Sequence, residues 1–156
     1  DVTNVLDLAT VPSKLDYVKQ VQYSSSGAGL NQADKVFHDT RTLTASSNED
    51  LDLAGVLVDA FGVAITFARI KTLIVRADPL NINNVVVGGA AANGFINWVS
   101  DPTDKIVVKP GGLFMLAAPD ATAYAVTAAT GDLLRVANSS SGSSVNYDIV
   151  LIGSST

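Results

Sequence analysis

The chain has 156 residues, 47% of them apolar and only 16% charged, with a net charge of −5 and a pI near 4.5. That length fits one domain with a sizeable core, and the apolar content excludes wholesale disorder. Ten scattered Lys and Arg in an acidic chain supply no basic stripe for nucleic acid or for an anionic membrane surface.

Cysteine is absent and histidine occurs once, which removes disulfides, thiolate metal sites and thiol catalysis. No apolar run approaches the roughly 20 residues of a membrane-spanning helix. No basic stretch followed by an apolar segment marks a secretory signal. The low charge has two accounts: a surface built on Ser, Thr and Asn, or apolar surface buried against neighbouring subunits. The composition suits both together.

Residues 1–33 read as an N-terminal arm and linker, and 34–156 as a single β domain. In the arm, Tyr17, Val21 and Tyr23 alternate with polar residues as a strand would. The competing reading is a short helix opened by Ser13-Lys14-Leu15-Asp16. Residues 24–29 (SSSGAG) read as a hinge.

In the body, 35–44 is Thr-rich and β-favouring, 46–50 a turn, and Leu51 and Leu53 flank Asp52 in a short strand. Residues 56–62 read as a helical turn or a loop. The longest strand candidate is 64–76, with Ala68, Ile70 and Ile74 on one face and Arg69 and Lys71 on the other. Asp78-Pro79 stops it. A strand over 84–87 ends at Gly88-Gly89, and 90–102 is irregular and holds the only Trp. Residues 106–108 are expected to pair with 113–117 across Pro110-Gly111-Gly112. Tyr124, Val126 and Ala128 alternate, then 133–137 forms a strand. Finally Val145, Tyr147, Ile149 and Leu151 face one way, Asn146 and Asp148 the other. Short strands with turn signals every 8–12 residues predict an all-β fold, an antiparallel β-sandwich or jelly-roll-like barrel with an extended N-terminal arm.

The chemistry on this scaffold is thin. His38 and Asp39 are adjacent, so on a strand they point to opposite faces and form no dyad; no G-x-S-x-G elbow supplies a nucleophile. Glu49, Asp50, Asp52, Asp101, Asp104 and Asp120 match no calcium loop and read as turn carboxylates. The glycine pairs 88–89 and 111–112 sit in no phosphate-binding fingerprint and read as turn residues. Asn138-Ser139-Ser140 matches a glycosylation acceptor but reads as a polar turn. No catalytic residue, metal ligand or cofactor site is read from the residues. Trp98 and Phe95 read either as a plug under a long loop or as a subunit contact, where Trp is enriched.

The segments ADKVFHDTRTLTASSNEDLDLAG, FGVAITFARIKTLIV, NNVVVGGAA, VVKPGGLFMLAAPD and GDLLRVANSSSGSSVNYDIVLIG resemble the small capsid decoration, or cement, proteins of tailed bacteriophages. The resemblance covers roughly residues 33–153 and rests on strand-and-turn patterns; the arm matches nothing in it. It implies a jelly-roll-like, non-enzymatic virion protein on the outer surface of a capsid. Its partners would be the major capsid protein of the same phage and further copies of itself, as a trimer or dimer, with no cofactor. Candidate partner contacts are Leu6, Leu8, Val11, Tyr17, Tyr23, Phe95 and Trp98. The competing functions are a receptor- or glycan-binding module of a tail fibre or spike, with Trp98 and Tyr124 stacking on sugar, and a head–tail connector protein.

Overall fold

A computed structural model describes residues 2–6, 9–13, 15–59 and 61–156. The described residues form strands, turns and irregular segments, with no helix among them. In chain order the strands are β1 (Val2–Leu6), β2 (Ala9–Ser13), β3 (Lys35–Leu43), β4 (Asn48–Asp52), β5 (Leu57–Val58), β6 (Ala64–Ile65), β7 (Arg69–Ala77), β8 (Val85–Gly88), β9 (Lys105–Val108), β10 (Leu113–Ala117), β11 (Tyr124–Ala125), β12 (Leu133–Asn138) and β13 (Val145–Ser154). Strands β1 and β2 pair with each other, as do β5 and β6.

The eight principal body strands form two sheets, ordered β10-β7-β13-β3 and β4-β12-β8-β9, with β11 adding to β7. Every ladder is antiparallel. Among these eight, the first pairs with the last (β3–β13), the second with the seventh (β4–β12), the third with the sixth (β7–β10) and the fourth with the fifth (β8–β9). That is one long antiparallel ribbon rolled up on itself, the wiring of a jelly roll.

Alternation sets the register. On β13, Val145, Tyr147, Ile149 and Leu151 are buried; opposite them lie Leu43 and Phe37 of β3 and Ala77, Val75 and Leu73 of β7. Leu51, Val85, Val87, Val108, Leu134 and Val136 complete the core from the second sheet. Each such side chain contributes about 1.5–3 kcal/mol, whereas a surface ion pair contributes about 0–1 kcal/mol. A slip by one residue would expose the whole row, so the apolar pattern outweighs the charges.

Two sequence expectations need correction. Ile70 and Ile74 do not share a face: Ile70 is fully buried, whereas Ile74 lies on the outer surface of the sheet. The cause is a bulge, because Ile152 faces Thr72 while the next residue, Gly153, faces Ile70, leaving Lys71 without a register partner. Close approach at the bulge requires glycine at 153, where a Cβ would stand 2.0 Å from the Arg69 carbonyl oxygen. Likewise β9 and β10 do not pair. The 109–112 turn carries the chain between the sheets, so β9 pairs with β8 and β10 with β7.

Smaller departures follow the same logic. Residues 56–62 hold β5, the first strand of the β5–β6 hairpin, rather than a helical turn. Residues 15–24 carry no strand, because the alternation of Tyr17, Val21 and Tyr23 meets no partner strand among the described residues.

Candidate functional site

The outer face of the first sheet follows from its register. One row across it runs Leu113, Arg76, Asp148, Thr40; the next Met115, Ile74, Val150, His38; the third Ala117, Thr72, Ile152, Val36. The first row is largely polar: Arg76 Nη1 pairs with Asp148 Oδ2 at 3.1 Å, and Thr40 Oγ1 donates to Asp148 Oδ1 at 2.8 Å. The other two are mostly apolar, although the outer face of an antiparallel sandwich is ordinarily polar. Val36 and Met115 are each 52% exposed and Leu113 63%. This face is therefore an apolar surface only partly covered.

What covers part of it is the arm. Residues 24–33, of which 24–29 read from sequence as a hinge, close into a bonded loop: Ser24 N donates to Asn31 O at 2.9 Å and Ala33 N to Ser25 O at 3.1 Å. Gly29 N donates to Gln32 Oε1 at 2.9 Å. The fully buried Lys71, extruded by the bulge, donates from Nζ to the carbonyls of Ala28 and Gly29. Burial lowers its pKa below the ordinary lysine value, opposed by the charge of Asp120 and reinforced by that of Arg69. Asn31 N donates to Pro119 O at 2.8 Å. Tyr23 shares a hydrogen bond of 2.7 Å with Thr72 Oγ1, which seats the arm on the outer face. Partial burial raises the Tyr23 pKa, against the lowering effect of that bond.

Upstream of Tyr23 the arm leaves the sheet. Leu15, Tyr17 and Val18 are 79–89% exposed. Lys19, Gln20, Val21 and Gln22 stand beside β10 and enclose, with Asn31, Met115, Ala117 and Pro119, a groove of about 630 Å³.

The remaining sequence candidates fall in different places. Leu6 lies in β1 and Val11 in β2, opposite Asn4; Leu8 lies outside the described residues. Phe95 is buried and belongs to the core. Trp98 packs against that core, its ring 5.6 Å from Phe114 and its Nε1 donating to Phe95 O at 2.8 Å. Tyr124 also packs on the core. The structure thus brings Tyr23 to the sheet face, leaves Tyr17 exposed beyond it, and holds Phe95 and Trp98 in a separate loop.

A second cleft, of about 560 Å³, opens between β3, β4 and the β5–β6 hairpin and is rich in carboxylates. Its charges are engaged. Glu49 accepts from Tyr147 and Arg41, Asp39 pairs with Arg41, and Asp50 makes a two-point contact with Arg135 at 2.7 and 2.8 Å. Asp52 and Asp59 accept from turn N–H groups. His38 faces the outer surface, away from Asp39. Among the described residues no group of three or more His, Cys, Asp or Glu is placed to hold a metal ion.

Two features escaped sequence reading. The β5–β6 hairpin buries Leu57 and Ile65 but presents Val56, Val58, Val63 and, at 91% exposure, Phe61. Alternation across such short strands is too brief to read. Asn138 of the glycosylation-like triplet is buried, with its amide donating to Thr44 O and Ser143 O and accepting from Asn83; it locks three loops rather than presenting an acceptor. No family model, curated protein or solved structure matches the chain.

Proposed function

We propose that this chain is a structural virion protein that decorates a bacteriophage capsid and stabilises it by bridging neighbouring major capsid subunits. In this reading it works as a homo-oligomer on the outer capsid surface, without catalysis, cofactor, nucleic acid or membrane. The observation that carries it is the exposed apolar arm, Leu15, Tyr17 and Val18, projecting beside a partly uncovered apolar sheet face. Such a surface gains free energy when covered, and an arm offers a neighbour a segment to grip. Binding only the assembled shell stabilises it by mass action, and repeated copies add avidity.

The carboxylates of the open cleft are committed to structural bonds, which favours a scaffold over a reactive site. The glycan-binding reading asks for an exposed aromatic platform at Trp98 and Tyr124. Both rings pack against the core instead, which favours the capsid reading.

Cryo-electron microscopy of the particle tests it. Density for a small jelly roll at regular positions over the capsid lattice is the expected result, and removal of residues 1–22 is expected to lower its occupancy. Finding the domain only on tail fibres or at the portal vertex would overturn the reading.

A further inference from the structure

The four sheet edges are unequal. Strand β3 carries Lys35, His38, Asp39 and Arg41; β4 carries Glu49, Asp50 and Asp52; β9 carries Lys105. Charges of this kind keep an edge from pairing with another chain. Strand β10 reads LFMLA and carries none.

Its bonding pattern shows what the edge offers. Ala77 N donates to Gly112 O and Ala118 N to Lys71 O, so the even-numbered residues of this strand bond to β7. The N–H and C=O groups of Leu113, Met115 and Ala117 therefore point to the other side, where β10 has no ladder partner among the described residues. Beside that edge runs the groove bounded by residues 19–22 of the arm. The arm skirts the groove without entering a ladder.

We infer that β10 is the docking edge for a second copy of this chain, and that residues 15–22 of the second copy form the added strand. Three observations select this occupant. The segment belongs to no strand and shows Leu15, Tyr17 and Val18 to solvent. It leaves its own body beside β10, so a neighbour brought to that side presents it at the right place. At about 3.3 Å per residue, eight residues span about 26 Å, more than enough for the five residues of β10. The edge carries no charge of its own, and Leu15, Tyr17, Val18 and Val21 supply the added segment's apolar side chains, with Asp16 and Lys19 between them. Exchange of arms between copies then satisfies the edge donors and acceptors of both. The inference rests on the functional reading only in taking copies of this chain as partners, and purified protein suffices to test it.

The cysteine-free chain permits a direct experiment. Two sets of single variants, one carrying Tyr17→Cys or Val18→Cys and the other Met115→Cys, are mixed and mildly oxidised. The expected product is a mixed disulfide joining an arm variant to the Met115→Cys chain, identified by mass spectrometry. Light scattering is expected to show an oligomer for the unmodified chain, shifted to monomer by Met115→Lys, a change at an exposed position that the fold tolerates. A monomer at every concentration, a Met115→Cys homodimer as the sole cross-linked product, or an oligomer indifferent to Met115→Lys and without mixed disulfide would each overturn the inference. None of these outcomes decides capsid binding, which the particle imaging tests separately.

Discussion

Tyr147 and Glu49 join the two sheets: the phenol of Tyr147 donates to Glu49 Oε1 at 2.8 Å, although the residues belong to β13 and β4. The other carboxylate oxygen accepts from Arg41 Nε at 2.8 Å, and Arg41 lies directly opposite Tyr147 on β3. Burial, then the hydrogen bond and charge of Glu49, push the Tyr147 pKa well above the ordinary tyrosine value. The phenol is therefore a fixed donor. Asp39 and Arg41 also place charge on the inner side of an edge strand, a device that discourages pairing by another chain.

Replacing Tyr147 by Phe removes this donor and leaves one oxygen of Glu49 poorly satisfied. The expected cost is about 1–3 kcal/mol, read as a lower urea midpoint with an unchanged slope. A midpoint equal to that of the unmodified chain would show that water replaces the phenol at no cost.

This cluster also shows how far sequence alone reaches. The alternation of Val145, Tyr147, Ile149 and Leu151 is correct because every second side chain meets a core, so a local pattern reports a global fact. The bulge at Lys71 was not legible: one extra residue inverts every later face, and its cause, the approach of Gly153 to the Arg69 carbonyl, lies far away in sequence. The Pro110-Gly111-Gly112 turn was legible as a turn but not in its destination, since a tight turn permits either a hairpin or a crossing between sheets. The seating of residues 23–29 on the sheet depends on Lys71 and Thr72, to which no local pattern points.

Gly153→Ala puts a methyl group against the Arg69 carbonyl oxygen and the Phe67 ring. Backbone cannot yield cheaply there, and a loss of about 2–3 kcal/mol is expected, measured by thermal or urea unfolding. A variant as stable as the unmodified chain would mean that the bulge relaxes without cost.

Lys71→Met should act on the loop at 24–33 rather than on the core. The substitution keeps an apolar stem but leaves the Ala28 and Gly29 carbonyls without their donor. Limited proteolysis is expected to cut within 24–33 several-fold faster, while the body at 34–156 resists. Equal cleavage of both proteins would show that the ammonium does not hold the loop.

Asp120 carries a pH dependence of definite sign. Its carboxylate accepts from the Thr122 hydroxyl and from the backbone N–H groups of Ala123 and Thr122, which hold its pKa at about 2. The folded value lies below the unfolded one of about 3.9. Its contribution is therefore present above pH 4 and fades as pH falls through about 2. Asp120→Ala should lie below the unmodified chain in stability at pH 5 and converge with it near pH 2. A gap that stays constant across that range would assign the effect to the turn backbone instead.

Trp98, the only tryptophan, reports on the loop at 89–104. Against Phe114 and partly shielded, it should emit at shorter wavelength than free indole and shift red on unfolding. Trp98→Ala is expected to cost about 2 kcal/mol, less than the 3–5 kcal/mol of a fully buried Trp. An unfolded-like emission from the native protein would contradict the packing.

The rolled ribbon has a consequence for biosynthesis. Strand β13 sits between β3 and β7 and is the last of the described strands in chain order, so the first sheet cannot close until residues 145–154 have left the ribosome. Until then β3 and β7 have no neighbour to join them, and Phe37 waits for Leu151. Such long-range pairing slows folding and leaves apolar strands open to aggregation during synthesis. A chain halted shortly before Val145 is expected to depend on chaperones more than one extended past Ser154.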